Sequence, residues 1–192
     1  MQAAEVDKLP DDVPELVRRS LSGEESATAE LVDRFRGQVF GLCYRMLGHR
    51  QDAEDVAQES FVRAMRSLAN WDSQRGFLPW LLAIAGNRCR TLLAARRRLP
   101  KPSSEVEVLP DVRSFREERH LGEEVALALA RLRYEYRQAF VLFHEQELTY
   151  AEIAEVLGCP VGTVKTWVHR ARRELAEHLR RRGVVEESSD AL

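Results

Sequence analysis

Thr163, Lys165, Thr166, Trp167, His169, Arg170 and Arg172 fall within the run GTVKTWVHRARREL. At 3.6 residues per turn they occupy two or three turns of one helix, where cations can meet phosphates and polar or aromatic groups can meet base edges. A second set is acidic. Between Arg50 and Arg63 every charged side chain is a carboxylate: Asp52, Glu54, Asp55 and Glu59. Asp55, Gln58, Glu59 and Val62 stand at i, i+3, i+4 and i+7 and share a stripe offset from the apolar one through Phe61, Met65 and Leu68. Such a stripe suits a basic protein partner, the alternative being a solvated face. A third set is basic. No acid occurs from Ser73 to Ser104, while Arg75, Arg88, Arg90, Arg96, Arg97, Arg98 and Lys101 accumulate, which suits phosphates. Trp71, Phe77 and Trp80 surround the loop NWDSQRGFLP, and aromatics beside a basic helix can stack on unpaired bases. Phe77 and Trp80, with Leu81, Leu82 and Ile84, are expected to seal a core, leaving Trp71 more open.

The elements that carry these sets read as helices throughout, with no useful strand alternation. Helices are expected over 13–21, from 26 or 28 to 47, from a cap at Asp52 through 68, and from 79 or 80 to 98. After LPKPSSEVEVLPDVRS, rich in proline and serine and without period, four more are expected over 121–132, 134–145, 149–157 and 161–181. In TYAEIAEVLGCPVGTVKTWVHRARREL the spacing is that of a helix-turn-helix. Ala154 is small at the crossing, Gly158 takes positive φ in the turn and Pro160 enters the second helix. Val161, Val164, Val168, Ala171 and Leu175 form its buried stripe; Trp167 lies beside it, either half-buried or touching DNA or a partner. The fold class is therefore all-α: two small helical domains joined by a flexible linker, the second a helix-turn-helix. The expected boundaries are a disordered N-terminus at 1–11, a first module at 12–98, a linker at 99–120, a second module at 121–182 and a tail at 183–192.

The formal net charge of the 192-residue chain is -2, so DNA binding would need locally concentrated cations or a larger partner. Cys43, Cys89 and Cys159 are spread through the chain with no CxxC or Cys/His cluster, which argues against zinc and suits a reducing cytosol. No other metal-ligand spacing, catalytic triad or phosphate loop occurs, so no metal, cofactor or enzymatic activity is expected. The acidic start MQAAEVDKLPDDVPEL is not a signal peptide, and no apolar run approaches 18 residues, so no membrane insertion is expected.

In order and spacing, ELVDRFRGQVFGLCYRMLGHRQDAEDVAQESFVRAMRSL, FLPWLLAIAGNRCRTLL and LTYAEIAEVLGCPVGTVKTWVHRARREL resemble the extracytoplasmic-function (ECF) sigma factors of bacterial RNA polymerase. The likeness covers about residues 12–98 and 121–180. It implies a cytoplasmic, non-enzymatic subunit that binds core RNA polymerase, through the β′ clamp helices and the β subunit, and promoter DNA. It also implies regulation by an anti-sigma factor. The first module would be sigma domain 2, docking on polymerase through Asp52, Asp55, Gln58, Glu59 and Val62. Its −10 reader, acting on single strands with a flipped base, would be Trp71, Asp72, Ser73, Arg75, Asn87, Arg88 and Arg90. The second module would be sigma domain 4, reading the −35 element through Thr163, Lys165, Thr166, Trp167, His169, Arg170 and Arg172. Where many members have KSR this chain has KTW, and Pro79 replaces the usual Thr before Trp80. Two rival readings are a stand-alone helix-turn-helix regulator and a helical enzyme or metal-binding bundle.

Overall fold

Apolar residues recurring every three or four positions build the helices, and the first module is wound around one of them. The computed structural model describes residues 12–98 and 118–184. The first module holds α1 (Val13–Leu21), α2 (Glu25–Leu47), α3 (Arg50–Arg66), a 3-10 turn at Leu68–Asn70 and α4 (Phe77–Arg98). The second holds α5 (Glu118–Arg131), α6 (Tyr134–His144), α7 (Tyr150–Leu157) and α8 (Val161–Arg181). Among the described residues all regular structure is helical.

Ala27, Leu31, Phe35, Val39, Leu42, Cys43 and Met46 put a continuous apolar face on α2, and α1, α3 and α4 pack around it. Gly48 ends the helix at φ 72°, donating its N–H to the Tyr44 carbonyl at 2.8 Å. The cap of α3 is His49, not Asp52: His49 Nδ1 accepts from the Asp52 N–H at 3.5 Å, placing Asp52 in the first turn. The fourth helix begins at Phe77, ahead of the expected 79 or 80, because Pro79 sits in its first turn, where an N–H is not needed. Cys43 and Cys89 meet in the core although 46 positions separate them in sequence; the Cys89 hydrogen bond and burial push the Cys43 thiol up.

The second module contains the expected helix-turn-helix. Thr149 and Glu152 cap α7 reciprocally, with the Thr149 N–H reaching Glu152 Oε2 at 2.8 Å. Gly158 adopts φ 63° in the turn. Val164, Val168, Ala171 and Leu175 are buried along α8, but Val161 is 40% exposed. It is the first residue of the helix, and its exposure makes the buried stripe one position shorter than its spacing suggests.

The two modules pack directly, through α6 on α2 and α7 on α4, so one apolar core runs through both. At the junction Tyr134 donates its hydroxyl hydrogen to the Gly86 carbonyl at 2.6 Å. Gln138 fills the space that a side chain at Gly86 would take: a Cβ there would lie 2.1 Å from its Nε2. Arg45 pairs with Glu145 at 2.8 Å, and the Arg90 guanidinium lies 5.4 Å from the Tyr134 ring centroid. The N-terminus at 1–11, nearly all of the expected linker (99–117) and the tail from 185 lie outside the described residues.

Candidate nucleic-acid interface

The 3.6-residue period sends the polar positions of α8 away from Val164, Val168, Ala171 and Leu175. Lys165, Thr166, His169, Arg170 and Arg172 are exposed, and Thr163 is half-buried. Neighbouring side chains hold this surface in place. The Lys165 ammonium stands 5.9 Å from the Tyr150 ring centroid, and the Thr166 hydroxyl donates to the Gly162 carbonyl at 2.9 Å. Arg170 Nη1 donates to the Tyr136 hydroxyl at 2.9 Å, and Arg172 Nε donates to His144 Nε2 at 3.0 Å. That bond needs a neutral imidazole, and burial, then the Arg172 charge, lower the His144 pKa. Trp167 departs from this face. It is half-buried and touches both apolar clusters of the molecule, so its ring joins α8 to the core and is not an open platform.

On α3, Asp55 and Gln58 are exposed and Val62 is 44% exposed, so the expected stripe faces solvent. Two carboxylates of the expected docking set are already engaged. Asp52 is held by Arg96 at 2.6 Å, and Glu59 takes Arg88 and Arg63. Those partners, Arg88 first, hold the Glu59 carboxyl below its ordinary pKa. The acidic α3 and basic α4 are thus not wholly separate surfaces: they pack together and share ion pairs along their seam. Of the expected docking residues, the outward ones narrow to Asp55, Gln58 and Val62, while exposed Glu54 beside them pairs with Arg50.

The loop before α4 is tied down by Asp72, whose Oδ1 accepts from the Gln74 N–H at 3.0 Å and whose carboxylate lies 3.5 Å from Arg75. Asp72, Ser73 and Arg75 are exposed, as are Asn87 and Arg90 on α4, while Arg88 is half-buried. Arg75 also reaches Glu155 of α7 at 4.0 Å. Trp71 is less open than expected. Its ring meets Phe77 edge-on at 5.4 Å, and its indole nitrogen is buried with no hydrogen-bond partner among the described residues. Trp80 also packs against Phe77, with ring centroids 5.4 Å apart. The loop thus offers a polar rim over an aromatic floor.

Sequence reasoning missed the junction residues Gly86, Tyr134, Arg137 and Gln138. A glycine inside a long helix costs about 1 kcal/mol relative to alanine, which marks Gly86 as a place of close approach, but the approaching residue is not legible in α4 itself. Among the described residues no group of three or more His, Cys, Asp or Glu side chains is placed to hold a metal, and no helix is long and apolar enough to cross a membrane.

Residues 31–99 match Sigma-70 region 2, and residues 122–175 match Sigma-70, region 4. The chain is similar to the ECF RNA polymerase sigma factor SigW of Bacillus subtilis (strain 168), 34% identical over 181 residues that cover 85% of this chain and 95% of SigW. It is also similar to CnrH, solved in complex with the cytosolic domain of CnrY, with a TM-score of 0.69 and 29% identity over 89% of this chain and 99% of that one. The sigma factor RpoE, solved with the anti-sigma factor NepR from Bartonella quintana, shares the fold at a TM-score of 0.65 and 21% identity, over 79% of this chain and 96% of that one. Both regions match in chain order, and the correspondence with SigW runs nearly end to end: this chain belongs to the extracytoplasmic-function sigma factors of bacterial RNA polymerase.

Proposed function

We propose a division of labour within this sigma factor. The outer stripe of α3, Asp55 with Gln58 and Val62, docks on a basic surface of core polymerase, flanked by Asp52 and Glu59, which Arg96 and Arg88 hold in place. The rim of Trp71, Asp72, Ser73 and Arg75, with Asn87, Arg88 and Arg90 of α4, takes single strands of the −10 element. The exposed row Lys165, Thr166, His169, Arg170 and Arg172, with Thr163 beside it, takes the −35 element, Arg170 and Arg172 serving phosphates. Trp167 supports this row from behind. Bond-making belongs to the polymerase, and the chain acts in the cytoplasm. The carrying observation is that the row on α8 and the stripe on α3 both stay outside the shared core, on different modules.

In this reading the packed arrangement is a resting state. Elements centred about 25 base pairs apart are separated by about 85 Å at 3.4 Å per base pair. A packed body of this size is about 40 Å across. The modules must part before both elements are read together, and an anti-sigma factor is the partner that would keep them from doing so. The complexes of CnrH with CnrY and of RpoE with NepR support such a partner here.

The test is binding to purified core polymerase followed by run-off transcription. Asp55→Lys, which leaves the α3–α4 ion pairs intact, should weaken core binding at least tenfold. Binding like that of the unaltered chain would remove α3 from the docking role.

A further inference from the structure

A buried cation lies where the modules meet, and among the described residues it has no counter-ion. Arg137 of α6 is 9% exposed. Among the described residues no group accepts a hydrogen bond from its guanidinium, and its Nε is buried unpaired. Burial, the largest influence, lowers its pKa; Tyr134 and Cys89 act in the other direction, and the Arg97 charge on α4 adds a smaller lowering. Buried charges are ordinarily paired, so a guanidinium in this setting calls for an anion.

Arg137 lines a cavity of about 70 Å³ together with Tyr44, Arg45, Leu47 and Gly48 from the end of α2 and Ala126, Leu129 and Ala130 from α5. Arg45 is already taken by Glu145, so Arg137 supplies the uncompensated charge. The last carbonyls of α2 bring only a fractional negative charge of about one half to that end of the helix, which leaves the site net positive. A cavity of this size holds one carboxylate or phosphate group and little more.

We infer that this cavity is a binding site for a small oxyanion, of the carboxylate or phosphate class, held by the Arg137 guanidinium and contacting both modules. Because α2 belongs to one module and α5 and α6 to the other, the site exists only while they are packed. Its ligand therefore favours the packed arrangement by mass action. The inference rests on the packed structure and not on the assignment of promoter-reading faces.

Thermal unfolding of the full chain in inorganic phosphate and, separately, in acetate tests it, with chloride at matched ionic strength as the reference. A saturable rise is expected in at least one of the two oxyanions. At ten times the dissociation constant the folding equilibrium constant rises about elevenfold, or about 3–5 °C in Tm. Whichever salt acts at the lower concentration identifies phosphate or carboxylate as the better fit. Arg137→Gln should abolish the oxyanion effect, and Arg137→Lys should keep a weaker one. Line broadening of the phosphate ³¹P resonance by the unaltered protein gives a readout independent of any variant's folding. No rise above chloride in either salt overturns the inference, as does a rise that Arg137→Gln retains.

Discussion

Replacing Gly86 by alanine sets two energies against each other, and only one depends on the second module. Within α4, alanine is about 1 kcal/mol better than glycine, and this gain is the same whether the modules are packed or apart. At the junction the new Cβ would stand 2.1 Å from Gln138 Nε2 and 3.3 Å from Cδ. Gln138 is 2% exposed and has no solvent to swing into. Overpacking of this kind costs about 1–3 kcal/mol, all of it charged to the packed state. The ratio of packed to separated molecules should therefore fall about 5- to 150-fold, while Tm moves little because the helix gain offsets part of the loss. Small-angle scattering and amide exchange across α6 read the first quantity, and calorimetry reads the second. Adding Gln138→Ala should restore packing, since Gln138 Oε1 has no hydrogen-bond partner to lose among the described residues. Coupling between the two sites of about 1 kcal/mol or more is expected. Additivity within about 0.5 kcal/mol, or a Gly86→Ala protein as closed as the original, would refute the argument.

Lys165→Ala should lower the magnitude of the salt slope for duplex binding by about 0.9 if its ammonium meets one phosphate, read from binding isotherms between low and moderate salt. The Glu24 carboxyl is held down to about 2 by Arg19, then by Ser26. Its folded pKa lies below the ordinary 4.5, so its contribution is complete above that value and is lost as the pH falls toward 2. Urea midpoints of Glu24→Gln should accordingly run below those of the unaltered chain at neutral pH and converge with them near pH 2.

What could be read in advance was whatever a helix says about itself. Leu31, Phe35, Val39 and Leu42 announce the buried face of α2 by spacing alone, and Gly158 announces the turn of the helix-turn-helix by its freedom at positive φ. What could not be read depends on a second element. Asp52 has the right chemistry for a helix cap, yet His49 begins α3 three residues earlier and Asp52 is drawn to Arg96, 44 residues away. Charge runs on α3 and α4 looked like two surfaces because sequence order does not reveal that the helices pack, and their seam consumes Glu59 and Arg88.

The same limit applies most strongly at the junction. Tyr134, Arg137 and Gln138 belong to a short helix whose period suggests burial within its own module. Two of them are spent on Gly86 of the other module, and the third lines a cavity completed by α2. A glycine that weakens its own helix is tolerated where another backbone or side chain must come close, and Gly86 meets that condition only in the packed state. The residue's local cost and its long-range use thus point the same way. The packing of the two modules is written into α4, at the position beside Asn87 and within one turn of Arg88 and Arg90, the very residues assigned to single-stranded DNA. With Arg90 also lying over the Tyr134 ring, the packed contact draws on the same stretch of helix that we propose for single-stranded DNA, and on that proposal occupancy of one would oppose occupancy of the other.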